Sequence, residues 1–514
     1  MSRSVVIPTA RRDRALKVTK RETVVGHLLG LMLTVGGGGM VISGVLEKLD
    51  GGSDAISLVG PGLAIGIPAF LLWSRTTTPR RVSVATVYGA ILAGWLAFCV
   101  AASLPYLLSG VLDRFNLALF ESVSGFTTTA STVIVPVDGV AKGILFWRAM
   151  TQWFGGVAIT VFVVSVLPYF RSAGFEHLAG ISGGWGGERL GSRVQETAKR
   201  ILALYLSFTA LVAACYALFG MGSFDAVAHA LTTVSTGGFS THVASIAYFD
   251  SAGIEWTAIV AMVLAGGNFA LYWQALSGKP LQIWRSIELR VYLVIVSLVG
   301  MAAVVWNAPN DGDEARRALF SAVSISTTTG YTITDYDQWG GSIQLLLLFG
   351  MVIGGMAGGG AGGFKIFRLI AVAGHARRHL FRQLHPRAVH IVRVGDEVIP
   401  DAVITGVLGF FSLFMAIGAL ATLLVAAIGG LDFRTSISAV ATALGNVGPA
   451  FGQLGPTHSY LDVNLGVREV LMVTMLAGRL ELYPVLLGIV PALRFVGSIL
   501  PRRAAQILTR VARG

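Results

Sequence analysis

The sequence contains few charged residues. Asp, Glu, Lys and Arg make up 13% of its 514 residues, whereas soluble domains carry about 25%. So little charge cannot cover a water-facing surface of normal size, which excludes an ordinary soluble protein. Hydrophobic residues reach 54%, and several apolar runs have the length of a helix that crosses a bilayer, about 20 residues. The chain is therefore predicted to be a polytopic membrane protein.

Cysteine and enzyme motifs are also scarce. The two cysteines, Cys99 and Cys215, both lie in apolar runs, which excludes a disulfide framework and a cysteine metal motif. No HExxH, GxSxG or phosphate-binding P-loop motif occurs in a membrane context, so an enzyme is not predicted. A solvated or partner-binding surface is favoured over a metal site for His375, His379, His385 and His390.

The net charge of +12 does not indicate a nucleic-acid partner. The basic residues cluster in alternate loops between the apolar runs, as cytoplasmic segments do. Ten spans with both termini in the cytoplasm fit this alternation, and the basic leader is interpreted as a retained cytoplasmic tail. The predicted spans are 25–46, 56–74, 83–108, 141–168, 201–219, 255–276, 289–306, 341–372, 402–428 and 466–497.

Four further stretches lie between the later spans, are too short to cross the bilayer, and resemble one another. Each begins with an acidic residue, which is followed by small or apolar residues and then by a segment rich in Thr and Gly. Re-entrant helices are predicted here, because non-helical backbone at membrane depth must face protein or water. The acids are expected to cap the helix N-termini, with attraction of external cations as a second role. They are Asp113, Asp225, Asp313 and Asp432.

The predicted fold class is all-α. Four pseudo-symmetric repeats of span, pore helix, loop and span surround a central pore, and an N-terminal helical pair stands apart from them. The predicted units are a basic cytoplasmic N-terminus (1–24), a two-helix unit (25–80), pore repeats 1 to 4 (81–172, 173–285, 286–385 and 386–500) and a cytoplasmic tail (501–514).

The four Thr- and Gly-rich loops predict a cation filter. Short helices around one axis would place four C-termini, each with partial negative charge, at mid-membrane. Rings of backbone carbonyls can replace the hydration shell of a cation, and potassium is the commonest ion in such filters. Close helix packing through small residues is the alternative, but it does not explain four equivalent copies. The predicted filter residues are Thr128, Thr129, Ala130, Ser235, Thr236, Gly237, Thr328, Thr329, Gly330, Asn446, Val447 and Gly448.

The chain resembles the TrkH/TrkG/KtrB superfamily of bacterial potassium-uptake proteins over nearly its whole length. The stretches similar to the family filters are ESVSGFTTT, STGGFSTHVASI, TTTGY and GNVGPAFG. Other similar segments are FWRAMTQWFGGVAI, AGGNFALYWQALSG, LHPRAV and MLAGRLELYPVLL. The additional helical pair at 25–74 makes the TrkH type the most similar.

The resemblance also implies partners and location. It implies a homodimer in the bacterial inner membrane, in contact with lipid and bound to a cytoplasmic nucleotide-binding regulatory subunit similar to TrkA. The basic loops 169–200 and 375–400 are the expected docking surface. No cofactor is expected in this chain, and K⁺ is expected only as the permeant ion at the filter.

Ala130 departs from the family pattern, in which the first filter usually reads TTTG. A left-handed conformation costs a residue with a side chain roughly 1–2 kcal/mol. Three outcomes are open. The first loop bends differently, the filter is looser and discriminates potassium from sodium less well, or the position tolerates alanine with its carbonyl still aimed inward.

Span eight contains a glycine-rich segment, GGMAGGGAGGFK. Each glycine weakens a helix by about 1 kcal/mol relative to Ala, so the helix is expected to break there. In the family this region is an intramembrane loop beneath the filter that gates conduction; a tight helix crossing is the alternative. The predicted gate residues are Gly354, Gly355, Gly358, Gly359, Gly360, Gly362 and Gly363, together with Arg479.

Arg479 lies well inside the last predicted span, where a charge is costly and indicates a functional residue. It is expected to bind carbonyls of the glycine-rich segment and to place positive potential beneath the filter; snorkelling to an interface is the alternative. Glu481 lies on nearly the opposite helix face and is not expected to pair with it. For Lys365, nearer the cytoplasmic end, snorkelling is an equal alternative.

An ion-coupled secondary transporter is the alternative function. Such proteins also have internal repeats and broken helices, but they bring polar or ionisable side chains to a site at mid-membrane. The four predicted filter segments consist mainly of backbone and carry no charged side chain. This difference favours a potassium-conducting protein.

Overall fold

The computed structural model describes residues 21–78, 82–170, 190–307, 311–386, 391–394 and 397–489. Within these ranges six helices are long and apolar enough to cross a membrane, and two bent helix pairs also qualify when each is taken as one span. The β-structure in the described part consists of two-residue strands, Arg21–Glu22 beside Thr76–Thr77 and Arg393–Val394 beside Glu397–Val398. The predicted all-α membrane fold is confirmed.

The first two helices, Val24–Leu49 and Ala55–Arg75, form a hairpin packed through small residues. A Cβ on Gly37 would come within 2.6 Å of a carbonyl oxygen of the second helix, so glycine permits this close approach. Glu47, which is 4% exposed, accepts a hydrogen bond from the Gly143 backbone N–H at 2.6 Å. A buried carboxylate therefore attaches the hairpin to the first repeat.

The rest of the described chain repeats one arrangement four times: an outer helix, a pore helix, a loop and an inner helix. The outer helices are Val84–Leu108, Leu190–Leu218, Ile287–Trp306 and Asp401–Gly429. Pore helices 1 to 4 are Phe115–Phe126, Ser223–Val234, Gly312–Ser326 and Phe433–Gly445. The inner helices are Lys142–Phe170, Ala252–Ala265 with Phe269–Leu276, Gly341–Ile353 with Ile366–Leu384, and Leu465–Leu480 with Leu482–Ile489. Short connecting segments include the helix Leu281–Arg285 and the 3₁₀ turns Ser245–Phe249, Tyr336–Gln338 and Gly452–Leu454.

Three of the inner helices are broken. The second bends by 95°, where the Asn268 side chain accepts hydrogen bonds from two backbone N–H groups and begins a new helix. The fourth bends by 111° at Glu481, whose φ is +68°. The predicted spans 255–276 and 466–497 are thus each broken, because a capping side chain and a left-handed residue restart the helix in a new direction. Residues from 490 onward lie outside the described part.

The acids predicted to cap the pore helices do so in one case. Asp432 caps pore helix 4 through its side chain. Asp311, two residues before the predicted acid, caps pore helix 3. Pore helices 1 and 2 begin without a side-chain cap. The prediction is therefore wrong for Asp113, Asp225 and Asp313, because the cap is the last residue with non-helical backbone and sequence spacing does not fix that residue.

Large hydrophobic clusters lie between repeats. One joins repeats 1 and 4 and includes Phe120 and Tyr460, whose ring centroids are 5.6 Å apart. Another joins repeats 2 and 3 and includes Phe269 and Tyr331. Because the last repeat packs against the first, the four repeats surround a common centre.

Candidate functional site

The loop after each pore helix contains two residues with positive φ, separated by one residue. These loops are called filter loops 1 to 4 below. A left-handed conformation costs a residue with a side chain roughly 1–2 kcal/mol, and it is rare for a β-branched residue. Its presence at the same two places in every filter loop indicates a shared structural requirement. The pairs are Thr128 (+55°) and Ala130 (+64°), Thr236 (+50°) and Gly238 (+81°), Thr328 (+56°) and Gly330 (+81°), and Asn446 (+54°) and Gly448 (+118°).

The residue between each pair is oriented in the same way in all four loops. Its N–H group donates to a carbonyl oxygen of the preceding pore helix, at 2.7–2.9 Å, in Thr129, Gly237, Thr329 and Val447. The carbonyl oxygens of Thr129, Thr329 and Val447 accept no hydrogen bond from the described residues. These three oxygens therefore remain free to bind an ion.

The second positive-φ positions show that the loops lie next to one another in order. At each glycine there, an added Cβ would collide with a carbonyl oxygen of the next loop. The collisions pair Gly238 with Thr329, Gly330 with Val447, and Gly448 with Thr129. Loop 2 thus contacts loop 3, loop 3 contacts loop 4, and loop 4 contacts loop 1, as a ring around one axis requires.

The predicted filter residues lie at this ring, with one register error. The predicted triplets of loops 1, 3 and 4 occupy equivalent positions, each beginning at its first positive-φ residue. In loop 2, Ser235 is still the C-cap of the pore helix, with φ −79°. The equivalent triplet is Thr236, Gly237 and Gly238, so the prediction begins one residue early. The sequence does not indicate which of the adjacent Gly237 and Gly238 has positive φ, because either glycine can adopt it.

Ala130 adopts the left-handed conformation in spite of its methyl group. Its φ of +64° is positive, like those of the three equivalent glycines, and lies near the +81° of Gly238 and Gly330. The outcome in which the first loop bends differently is therefore wrong. A Cβ built on Gly448 would lie 3.0 Å from the Ala130 Cβ, so the methyl group belongs to the ring itself.

A cavity of about 550 Å³ adjoins the ring on the side of the segments that follow the filter loops. Ala130, Gly238 and Gly330, from three different loops, contribute to its lining. Charged side chains are few in this lining and include Arg148 and Asp462. Three of the four filter loops therefore border one cavity.

The glycine-rich segment 354–365 forms a loop on the other side of the ring. Gly362 N donates to Thr328 Oγ1 at 2.8 Å. A Cβ on Gly360 would lie 3.2 Å from Thr236 Oγ1. The segment therefore touches the inner ends of filter loops 2 and 3, and the alternative of a tight helix crossing is wrong because the segment is not helical.

Backbone geometry explains why this segment requires glycine. Positive φ occurs at Gly354 (+70°), Gly358 (+84°) and Gly363 (+80°). Close approach explains others, since an added Cβ would meet backbone carbonyl oxygens of the second inner helix and of pore helix 4. These contacts pair Gly355 with Gly266, Gly359 with Gly267, and Gly362 with Gly445.

Arg479 reaches the glycine-rich loop from the fourth inner helix. Its Nη1 donates to the Gly360 carbonyl oxygen at 2.6 Å, and the residue is 3% exposed. Its Nε and Nη2 form no hydrogen bond with the described residues. Arg479 thus faces the interior and does not snorkel. Glu481 pairs with Arg368 instead, which confirms that it is not the partner of Arg479.

Two more charged side chains support the same loop. Lys365 Nζ donates to the Ala361 carbonyl oxygen, so this side chain turns back into the loop. Glu288 is buried and accepts a hydrogen bond from Ala357 N at 2.8 Å. Glu288 was not predicted, although a carboxylate beside an apolar span was an available signal.

A buried ion pair connects filter loops 1 and 2. Arg148 Nε lies 2.7 Å from Glu121 Oε1, and the side chains are 2% and 0% exposed. Glu121 also accepts from Val133 N at 2.9 Å, just after loop 1, and Arg148 Nη1 donates to the Ser240 carbonyl oxygen at 3.1 Å, just after loop 2. Both residues were missed, as was Gln152 one turn further along the same inner helix. Arg148 and Gln152 are polar residues inside a predicted span, and Glu121 is an acid within the first short apolar stretch; these were the available signals.

Comparison with known proteins gives consistent matches. The family model TrkH, described as a cation transport protein, matches residues 62–494. The Trk system potassium uptake protein TrkH of Vibrio parahaemolyticus is 38% identical over 412 residues, which covers 77% of this chain and 83% of that protein. The protein of the same name from Escherichia coli K12 is 32% identical over 478 residues, which covers 90% and 98%. The crystal structure of the potassium transporter TrkH from Vibrio parahaemolyticus matches with a TM-score of 0.82 at 34% identity, covering 90% of this chain and 97% of that one.

Proposed function

The chain belongs to the TrkH family of cation transport proteins, and we propose that it conducts potassium through the ring formed by filter loops 1 to 4. The resemblance identified in the sequence is confirmed, and the chain is a membrane subunit for potassium uptake, not an enzyme. The observation that carries the proposed pathway is the pair of positive-φ residues in every filter loop. Alternation of left-handed and ordinary φ lets successive carbonyls face one axis, where they replace the hydration shell of K⁺.

The pore helices add to the attraction for a cation. Each filter loop begins at the C-terminus of a pore helix, where the helix dipole is equivalent to roughly half a negative charge. Four such ends meet the ring from four sides. A cation can thus be stabilised without a charged side chain in the filter, and its exit is not blocked by a strong fixed charge.

We place the gate at the glycine-rich loop. The loop lies against the inner ends of two filter loops, on the path of an ion that has crossed the ring. Arg479 holds it through a single hydrogen bond to Gly360. Its positive charge would also oppose a cation beneath the filter. Conduction would require the loop to move aside and the charge to withdraw.

Transport assays test the proposed function directly. Expression in a bacterium that lacks potassium uptake is expected to restore growth at low potassium. Purified protein in vesicles, with its regulatory subunit present, is expected to carry rubidium. If neither rubidium nor sodium moves in such vesicles, the ion-coupled secondary transporter becomes the better interpretation.

Adding a methyl group to the ring should reduce conduction. In Gly330→Ala, the new Cβ would collide with the Val447 carbonyl oxygen, and the backbone φ of +81° would be strained. Strain of roughly 1–2 kcal/mol corresponds to a five- to thirtyfold loss of rubidium flux. Gly340→Ala is the control, since a Cβ there meets nothing within 4 Å. Equal fluxes for the two variants would argue against conduction through the ring.

Ala130→Gly should increase discrimination. We propose that the strained alanine makes the filter looser, and that glycine relieves a cost of roughly 1–2 kcal/mol. The ratio of potassium to sodium permeability is expected to rise, by up to about tenfold. Permeabilities measured in vesicles under bi-ionic conditions would show this. An unchanged ratio would mean that the site tolerates alanine with its carbonyl still aimed inward.

We also propose the assembly and location that the family implies. The names of the relatives refer to a Trk system, and such a system has other subunits. A homodimer in the bacterial inner membrane, with both termini in the cytoplasm and a TrkA-like nucleotide-binding regulator beneath it, fits this chain. The proposed docking surface 375–400 includes the C-terminal half of the basic helix Ile366–Leu384. Much of the other expected surface, 169–200, lies outside the described residues.

A further inference from the structure

Filter loop 2 differs from the others at one position of the ring. The residue between the two positive-φ residues is Thr129, Thr329 or Val447 in loops 1, 3 and 4, but it is Gly237 in loop 2. Loop 2 is therefore the filter loop with two adjacent glycines at the ring, Gly237 and Gly238. Glycine populates far more backbone conformations than other residues, so this peptide unit is the one most free to rotate.

The threonines at this position help to hold their loops. Thr129 Oγ1 is hydrogen-bonded to Thr127 Oγ1 at 2.7 Å, and Thr329 Oγ1 to Thr327 Oγ1 at 2.9 Å. Each bond ties the ring residue to the C-terminal end of its own pore helix. Gly237 has no side chain and cannot form this bond.

The side chain of Gln152 occupies the space that a side chain on Gly237 would need. An added Cβ on Gly237 would overlap the Gln152 carboxamide, with the amide carbon at 2.5 Å and the Gln152 Cβ at 2.9 Å. Gln152 is fully buried and belongs to the inner helix of the first repeat. A side chain from a neighbouring repeat thus fills the place that threonine or valine fills in the other loops.

Gln152 also fixes the loop by hydrogen bonds. Its Nε2 donates to the Gly237 carbonyl oxygen at 2.8 Å, and its Oε1 accepts from Phe239 N at 3.0 Å. The two bonds lie on either side of Gly238 and so restrain both of its peptide units. The Gly237 carbonyl keeps a second lone pair, which can still face an ion.

The equivalent positions of two other inner helices carry no such amide. Gly155 of the first inner helix lies against the Phe126 carbonyl oxygen, at the end of pore helix 1. Gly478 of the fourth inner helix lies in the same way against the Leu444 carbonyl oxygen, near the end of pore helix 4. The two glycines therefore occupy equivalent positions. The residue three positions before Gly478 is Met475, where the first repeat has Gln152. In the third repeat, Gly350 lies beside the end of its pore helix, and Leu347 is the equivalent residue.

We propose that Gln152 is a positioning residue of the ion filter, which substitutes for the side chain missing at Gly237 and holds that carbonyl at the ring. The inference rests on the proposed function, since it assigns a selectivity role at the same ring. Without Gln152 the Gly237–Gly238 peptide rotates, and one carbonyl of the ring no longer matches a dehydrated potassium ion.

Substitutions of Gln152 and Gly237, alone and together, test whether the Gln152 side chain replaces the one missing at Gly237. Gln152→Ala removes both hydrogen bonds and is expected to lower the potassium-to-sodium flux ratio about fivefold, as the loss of a hydrogen bond of ordinary strength allows. Gly237→Thr alone is expected to lower the ratio as well, because its side chain overlaps Gln152. The φ of Gly237 is not positive, so threonine is compatible with the backbone there. The double variant Gln152→Gly with Gly237→Thr removes all three Gln152 atoms that crowd the added Cβ, including the Gln152 Cβ at 2.9 Å. It is expected to recover the ratio to within about twofold of wild type, with a purely local exchange of contacts.

Controls separate the possible outcomes. Gln344 lies on the third inner helix, and its side-chain amide donates to the backbone carbonyls of Asp337 and Trp339. The potassium-to-sodium flux ratio of Gln344→Ala should equal that of wild type. Gln152→Met keeps the side-chain length but loses the hydrogen bonds, and it should lower the flux ratio as Gln152→Ala does. It also provides the test if the smaller alanine side chain impairs folding. Selective wild-type flux with unchanged ratios in both Gln152 variants would overturn the positioning role alone. A double variant no better than the single ones would overturn the complementation. Wild-type vesicles that move no ion would overturn the proposed function, and this inference with it.

Discussion

Arg148→Met is expected to lower the free energy of unfolding by about 3–5 kcal/mol, the usual cost of leaving one member of a buried ion pair without its partner. Methionine keeps most of the side-chain length but carries no charge. Glu121 is 0% exposed, so its carboxylate cannot turn to water. Folded proteins are stable by only about 5–15 kcal/mol. The variant should therefore accumulate poorly and unfold at a much lower temperature than wild type.

The same change should loosen the filter, because Arg148 also donates to the Ser240 carbonyl oxygen after loop 2. Unfolding midpoints in detergent, read from the folded fraction on gel filtration after heating, measure the stability. Lys142→Met is the matched control on the same helix. Its ion pair with Asp50 is nearly half-exposed, and such pairs contribute at most about 1 kcal/mol. Equal midpoints for Arg148→Met and wild type would show that the buried pair does not hold the loops.

Arg479→Ala is expected to increase ion flux in the absence of the regulatory subunit. It removes the hydrogen bond to Gly360 and a positive charge from the space beneath the filter. Hydrogen bonds to charged groups contribute about 1.5–3 kcal/mol, which corresponds to a rise of roughly tenfold to a hundredfold in rubidium flux. The flux of purified protein in vesicles is the measurement.

Arg468→Ala provides the control for charge and helix position. Arg468 is buried on the same inner helix and donates to the Leu461 carbonyl oxygen at 2.6 Å, but it lies at the outer end, away from the glycine-rich loop. Its loss should not increase flux. A normal amount of Arg479→Ala protein with unchanged or reduced flux would contradict the proposed role of Arg479 as a barrier.

The spans, the four repeats and the positions of the filter loops could be predicted, because each depends on local patterns. Apolar length identifies a span, and a short apolar stretch followed by Thr and Gly identifies a pore helix with its loop. The glycine-rich break after Ile353 was predictable for the same reason. The bend at Glu481 was not, since a glutamate with φ +68° has no local signature, and its partner Arg368 is distant in sequence.

The backbone of the filter was only partly predictable. Glycine marked the second positive-φ position in loops 3 and 4, and in loop 2 it left two adjacent candidates. Nothing local marks the first position in loops 1 to 3, where Thr128, Thr236 and Thr328 adopt positive φ. Threonine disfavours that conformation, so the sequence of the loop alone does not predict it. The roles of Arg148 and Gln152 depend in the same way on a second loop that is distant in sequence. Their polarity within an apolar span could be read, whereas their partners required the fold.

The ring of four loops is built from one continuous chain, and this has a consequence for how such a filter can vary. In a channel assembled from four identical subunits, every substitution appears four times around the axis. Here a single codon alters one quadrant and leaves three intact, as the alanine beside three glycines illustrates. In the filter that we propose, each loop can therefore be altered separately, and a substitution affects one of the four positions around the axis.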